Sequence, residues 1–243
     1  MKIAPRALIL LAVVIAAFFT RLGFWQFSRL GERRALNAQL ASRAVAPAVP
    51  IAGLPSDTAM AHYRRVRVDG TYDYSNEILL TLRSRDGSPG VNIVTPMRRQ
   101  GNDTAVLVVR GWVYAPDGMT VDLSKWRESS EASGSGFVET FPPPRVGESS
   151  SPTHSNAYRW LDRAELQKRF RYTLAPFYVV LTAGPDAAES VPPSLPPPDS
   201  DTTAPPRLSV PPMDEGPHKD YAIQWFSFAA ISIIGMALLL RRK

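Results

Sequence analysis

Residues 221–240 read YAIQWFSFAAISIIGMALLL, 20 positions without a charge, and Arg241, Arg242 and Lys243 follow at once. An α-helix rises about 1.5 Å per residue, so ~20 residues cross the roughly 30 Å of a bilayer's hydrocarbon. An uncharged stretch of that length against a basic stop reads as a membrane span rather than as a buried core helix. The sequence therefore predicts a transmembrane helix over 218–240. A second apolar run occupies residues 7–20, ALILLAVVIAAFFT, and continues past Arg21 into Leu22, Gly23, Phe24, Trp25, Gln26 and Phe27. With Arg21 extending its stem toward the interface, residues 7–28 make another span. A cleaved signal peptide shares the basic start (Lys2, Arg6) and the apolar stretch. No small-x-small cleavage site precedes Gly23, however, and the aromatic cluster after it sits where an interfacial belt belongs.

Two spans put both ends of the chain on one side. Arg241, Arg242, Lys243, Lys2 and Arg6 assign that side to the cytoplasm by the positive-inside rule. Arg29, Arg33 and Arg34 argue the other way, but a loop of about 190 residues translocates largely regardless of its charge. The expectation is a multi-pass protein of the bacterial inner membrane with cytoplasmic ends at 1–6 and 241–243. The chain between the spans then forms a periplasmic domain over 29–183 and a spacer over 184–217, where 34 residues include 11 Pro.

The 243 residues carry a net charge of +6, 44% hydrophobic residues, three His and no Cys. Without Cys there is no disulfide framework, thiolate zinc site, iron–sulfur cluster or Cys nucleophile. Strand signals fill the middle. Val66, Val68, Gly70 and Tyr72 alternate with Arg65, Arg67, Asp69 and Thr71 across 63–74, and further strands are predicted at 77–82, 91–97, 104–114 and 177–182. Pro96 marks the third as an edge or a strand end, and the first four strands, joined by short turns, suggest an antiparallel meander. Residues 29–37 read as a helical continuation of the first span into solvent, 46–55 as a linker, and 129–136 and 147–156 as Ser- and Gly-rich loops. Asp162 with Glu165 three positions on predicts a capped helix over 162–170. The fold class expected is a membrane protein of the α+β type, two transmembrane helices flanking a mostly antiparallel β extracytoplasmic domain.

Catalytic motifs are missing: there is no GxSxG, GxGxxG, P-loop, HExxH or CxxC pattern. The basic residues are dispersed among strands and membrane flanks, which argues against nucleic acid. What stands out is the outer membrane level. Arg21, Trp25 and Arg29 form one stripe at i, i+4 and i+8; His218, Tyr221 and Trp225 form another at i, i+3 and i+7. The two stripes are placed to meet. Interfacial anchoring is the ordinary reading of Trp25, Tyr221 and Trp225. His218 is a different kind of group, because a neutral imidazole beside an apolar wall is a standard axial ligand of haem iron; a lone His is more often simply a surface residue.

Four segments carry a resemblance. Residues 22–30, LGFWQFSRL, resemble the LGxWQxxRL motif of the surfeit locus protein one family. The strand at 63–73 and the segment VVRGWV at 108–113 resemble two more of its motifs, with Val109 where Asn is usual. HKDYAIQWF at 218–226 is similar to its closing HLxYAxQWF motif, with Lys219 in place of Leu, and Gly216-Pro217 replaces a usual Asn pair. The resemblance implies a cytochrome c oxidase assembly factor that binds haem a and assists its insertion into the oxidase catalytic subunit. It places His218 as the iron ligand, Arg29 against a propionate, and Trp25, Tyr221 and Trp225 around the macrocycle. Membrane lipid, the oxidase catalytic subunit and a haem a synthase are the implied partners, and no bond is made or broken by the protein itself. The rival readings are a haem-independent scaffold for oxidase subunits and a membrane-tethered hydrolase.

Overall fold

A computed structural model describes residues 5–55, 57–99, 101, 103–143, 156–183, 204–211 and 213–241. In chain order the elements are α1 (Pro5–Val45), β1 (Val49–Pro50), α2 (Thr58–Ala61), β2 (Arg65–Tyr72), β3 (Ile78–Arg85), β4 (Ser88–Arg98), β5 (Thr104–Tyr114), β6 (Glu131–Thr140), β7 (Ala157–Tyr158), α3 (Arg163–Arg169), β8 (Thr173–Leu181) and α4 (His218–Arg241). They fall into two compact units, one of Met1–Ala41 with Pro212–Lys243 and one of Ser42–Pro211.

The first unit is a helix pair. Both helices are long and apolar enough to cross a membrane, and their apolar windows are almost wholly uncovered by the rest of the chain. A core helix of a soluble domain buries such a surface. α1 is longer than a span: 41 residues without a break, about 60 Å. The expected continuation over 29–37 is part of it, and its charged second half carries its own support, including the Arg29–Glu32 pair one turn apart at 2.7 Å. The seam between α1 and α4 is lined by small residues. Ala16, Gly23, Ala222 and Ala229 are buried, and a Cβ on Gly23 would stand 2.6 Å from the Phe226 ring. Small side chains let helix backbones approach closely, the usual basis of helix pairing where lipid surrounds both partners. Phe19 stacks on Trp225 and Phe24 meets Phe226 edge-on beside this seam.

The second unit is one sheet in the order β1-β2-β6-β8-β5-β4-β3-β7, with β2 also pairing β4, so that five of its strands close into a barrel-like ring. The β1–β2, β3–β7 and β5–β8 pairings are parallel and the rest antiparallel. The β3-β4-β5 meander follows the sequence expectation. β2 does not: it lies against β6 and touches β4 only at Thr71 and Tyr72. β4 runs over Ser88–Arg98, longer than the predicted 91–97 and through Pro96. The proline is tolerated because β3 leaves the edge of β4 at Val94 and β2 takes it up at Met97, so no neighbour on that side asks for its missing N–H. Its carbonyl accepts from Asp73 N at 2.8 Å.

The Ser- and Gly-rich stretch expected as a loop at 129–136 supplies most of β6 instead, held by β2 on one side and β8 on the other. Its glycines are spatial rather than flexible. A Cβ on Gly136 would run into the Val180 carbonyl. β5 is buried on both faces, with Val106 and Val108 in one core cluster and Leu107 and Val109 in another, which is why it reads as a near-continuous apolar run. α3 covers the second cluster through Leu166, and its N-cap Asp162 accepts from Ala164 and Glu165, as the sequence predicted.

Part of the predicted spacer is docked. Over 204–211, Pro206 accepts from Trp112 N at 2.9 Å, Leu208 N donates to Leu181, and Arg207 Nη1 donates to the Arg110 carbonyl at 2.7 Å. Gly111 makes the approach possible, since a Cβ there would strike the Pro206 carbonyl. Residues 184–203 and 212 of the predicted spacer and 147–155 of the predicted loop lie outside the described residues.

Candidate functional site

His218 is the first residue of α4, and the chain that delivers it is fixed from α1. Arg33 Nε donates to the Asp214 carbonyl at 3.0 Å, and Asn37 donates to the carbonyls of Met213 and Asp214. Arg34 grips Glu215 through two bonds of 2.8 and 2.9 Å. The Arg34 hydrogen bond holds the Glu215 carboxyl below its ordinary value, and the same bond raises the Arg34 guanidinium. Both groups are exposed, so the pair orients more than it stabilises and weakens in salt. Asp214 then accepts from Gly216 N, Gly216 turns the chain at φ +70°, and Tyr221 N closes the first helical turn onto the Pro217 carbonyl. Of the three arginines set against the charge rule, Arg33 and Arg34 are bonded to the segment just before the second helix, and Arg29 pairs with Glu32 instead.

The ring of His218 meets α1 at one atom. Its Nδ1 lies 2.8 Å from Oε1 of Gln26, and Gln26 is only 8% exposed. An amide oxygen accepts and does not donate, so Nδ1 is the donor of this contact, and in the neutral ring the lone pair then lies on Nε2. No hydrogen bond among the described residues occupies Nε2. A Cβ on Gly216 would stand 3.4 Å from Cδ2 and 3.6 Å from Nε2; the glycine leaves that edge of the ring clear.

The other predicted site residues are arranged differently from the expectation. Trp25 is 50% exposed, with the Arg29 guanidinium 5.8 Å over its ring, and Arg29 is paired with Glu32. The stripe Arg21, Trp25, Arg29 is exposed, while the buried line of α1 passes through Ala16, Gly23, Gln26 and Leu30. The two stripes accordingly do not meet face to face. Bulky Trp and Arg side chains do not fit a seam set by Gly23, and the slim amide of Gln26 does. Tyr221 is 46% exposed. Trp225 packs toward α1, stacked on Phe19 at 5.6 Å and 22°. Sequence reasoning placed Gln26 at the helix exit without giving it a role. The signal was its position three residues after Gly23 and four before Leu30, which puts one polar side chain in an otherwise apolar seam.

Chemically the site offers one imidazole nitrogen, Nε2 of His218. Among the described residues no cluster of three or more His, Cys, Asp or Glu is placed to hold a metal ion. A metal bound at Nε2 has to bring its remaining ligands with it, as an iron porphyrin does. The single imidazole donor and the Nε2 edge left clear by Gly216 fit such a group.

Comparison with known proteins points one way. A sequence profile of the SURF1 family matches residues 13–230, which takes in most of α1, the whole sheet and the first half of α4. A SURF1-like protein of Rickettsia felis is 24% identical over 238 residues, 96% of this chain and 96% of that protein. A SURF1-like protein of Monosiga brevicollis is 28% identical over 251 residues, 96% of this chain and 87% of the other. Human Surfeit locus protein 1 is 32% identical over 120 residues, 43% of this chain and 39% of the human one.

Proposed function

The chain belongs to the SURF1 family, a family of cytochrome c oxidase assembly factors, and from that premise we propose that it binds haem a and assists its insertion into the oxidase catalytic subunit. The observation that carries the reading is the His218 ring, held through Nδ1 by Gln26 with Nε2 free. Haem a is cargo here, and the chain's residues bind, orient and release it.

His218 supplies one axial nitrogen. A single ligand on a half-exposed helix tip suits a group that must be handed on. Arg29 exchanges its exposed Glu32 partner for a propionate, one carboxylate for another, at little cost because the existing pair is solvated. Tyr221 and Trp225 lie on the same helix as the ligand and offer ring faces; Trp25 offers a third from α1. The two helices span the bacterial inner membrane, both ends of the chain are cytoplasmic, and the β unit stands in the periplasm. There it contacts the oxidase catalytic subunit or a haem a synthase. The protein is a carrier and performs no covalent chemistry.

A haem-independent scaffold is the second reading, favoured by the present pairing of Arg29 with Glu32 and the outward face of Trp25. Complementation separates the two. In cells lacking this chain, oxidase activity and the haem a content of the catalytic subunit should fall and be restored by the wild-type protein. His218→Ala, present in the membrane at the wild-type level, should restore less than a tenth of the difference. Full restoration by His218→Ala would establish the scaffold instead.

A further inference from the structure

A histidine that binds a metal through one ring nitrogen depends on what holds the other. The neutral ring carries one proton, and only the unprotonated nitrogen has a lone pair to give. In protein metal sites the distal N–H is commonly fixed by a carbonyl or carboxylate. Gln26 is in the position of such a group. Its Oε1 is 2.8 Å from Nδ1 of His218. Its side chain is buried in the helix seam between Gly23 and Leu30, so the amide is held rather than free to rotate in water. The residues around the ring act in the same direction. Arg33, Arg34 and Asn37 fix 213–215, and Gly216 keeps a Cβ away from Nε2.

We propose that Gln26 is the positioning residue of the site: its amide oxygen holds the His218 proton on Nδ1 and turns the ring so that Nε2 is the nitrogen presented to an iron porphyrin. The proposal rests on the haem reading above but concerns a property the protein has before any haem arrives. The site is thus preset on apo protein by a contact between the two helices. A change in helix packing that withdraws Gln26 lets the proton move to Nε2 and removes the ligand without any change in His218 itself. Coupling of this kind gives a carrier a means of release.

The test reads the tautomer directly. The sequence has three histidines, so selective 15N-histidine labelling of the full chain in detergent gives a countable long-range 1H–15N spectrum, with His218 assigned by its loss in His218→Ala. At mildly alkaline pH, in protein free of haem, His218 should show a protonated Nδ1 and an unprotonated Nε2. Gln26→Leu should shift it to the Nε2-protonated form, and Gln26→Glu, which keeps an acceptor, should retain the original pattern. With haem a as the probe, Gln26→Leu should lose about 10- to 100-fold in affinity and Gln26→Glu much less. A wild-type His218 protonated on Nε2, or a tautomer indifferent to Gln26→Leu, would overturn the proposal. An Nδ1-protonated ring in a protein that takes up no haem a would overturn the ligand reading while leaving the role of Gln26 in holding the ring established.

Discussion

Arg110 shows how a single side chain organises the β unit. It is fully buried. Its guanidinium packs against the rings of Tyr72 and Tyr74, 5.1 and 5.2 Å from their centroids, and bonds Glu77 at 3.0 Å, Glu128 at 2.8 Å and the Trp126 carbonyl. Arg207 reaches the same Glu128 from the docked strap, which ties residues 204–211 to the cluster. Burial pushes the Glu77 carboxyl up, against the pull of the Thr95 hydrogen bond and the charges of Arg110 and Arg127. Replacing Arg110 by Met keeps much of the volume and strands Glu77 with a weaker partner. A thermal melt of the full chain should then show a loss of about 3–5 kcal/mol near neutral pH, the usual cost of breaking a buried pair. The sign of the pH dependence follows from the raised carboxyl. In the variant its folded value lies still further above the unfolded one, so the protein is relatively best off below the ordinary glutamate value and loses stability as pH rises through the folded value. The deficit of Arg110→Met against wild type should therefore shrink as pH falls toward 4.5, the ordinary value for the group; a deficit that grows in acid would contradict the cluster. In the sequence Arg110 appeared only as one residue of a resemblance motif in an apolar strand. Its burial was not legible, because its partners come from residues 72–77, 126–128 and 207.

At the scale of elements, close approach decides what pattern alone does not. Helix α3 and the meander were legible because a cap, a period of two or a tight turn announces each. β6 was not, because Ser and Gly favour loops when no partner is known. Its pairing to β2 and β8 demands small residues where the barrel-like ring closes. The same logic governs Gly111, whose missing side chain admits the Pro206 carbonyl to hydrogen bonding with Trp112. Gly111→Ala should leave the sheet folded and release the strap. Limited proteolysis should then cut near Arg207 at least tenfold faster than in wild type, with far-ultraviolet circular dichroism unchanged. Equal cleavage rates would mean that the strap is held by other contacts. The helix pair was legible as two apolar runs, but its facing residues were not. The large aromatic and basic residues drew attention to one stripe, whereas packing chose the narrow one through Gly23 and Gln26.

For the whole molecule, a helix pair carries the candidate site and a closed sheet carries most of the mass. What the sequence could announce was the pair of long apolar helices and the order of the motifs. It could not announce that His218 is held by Gln26, since 192 positions separate them and only folding brings them to 2.8 Å. The most direct measurement of the central claim is the absorption spectrum of the detergent-purified chain, wild type and His218→Ala, each made in cells that synthesise haem a. The account predicts haem a Soret and alpha bands in the wild type and their near-complete loss in the variant. A wild-type protein without those bands, or a variant that keeps them at full strength, would contradict it.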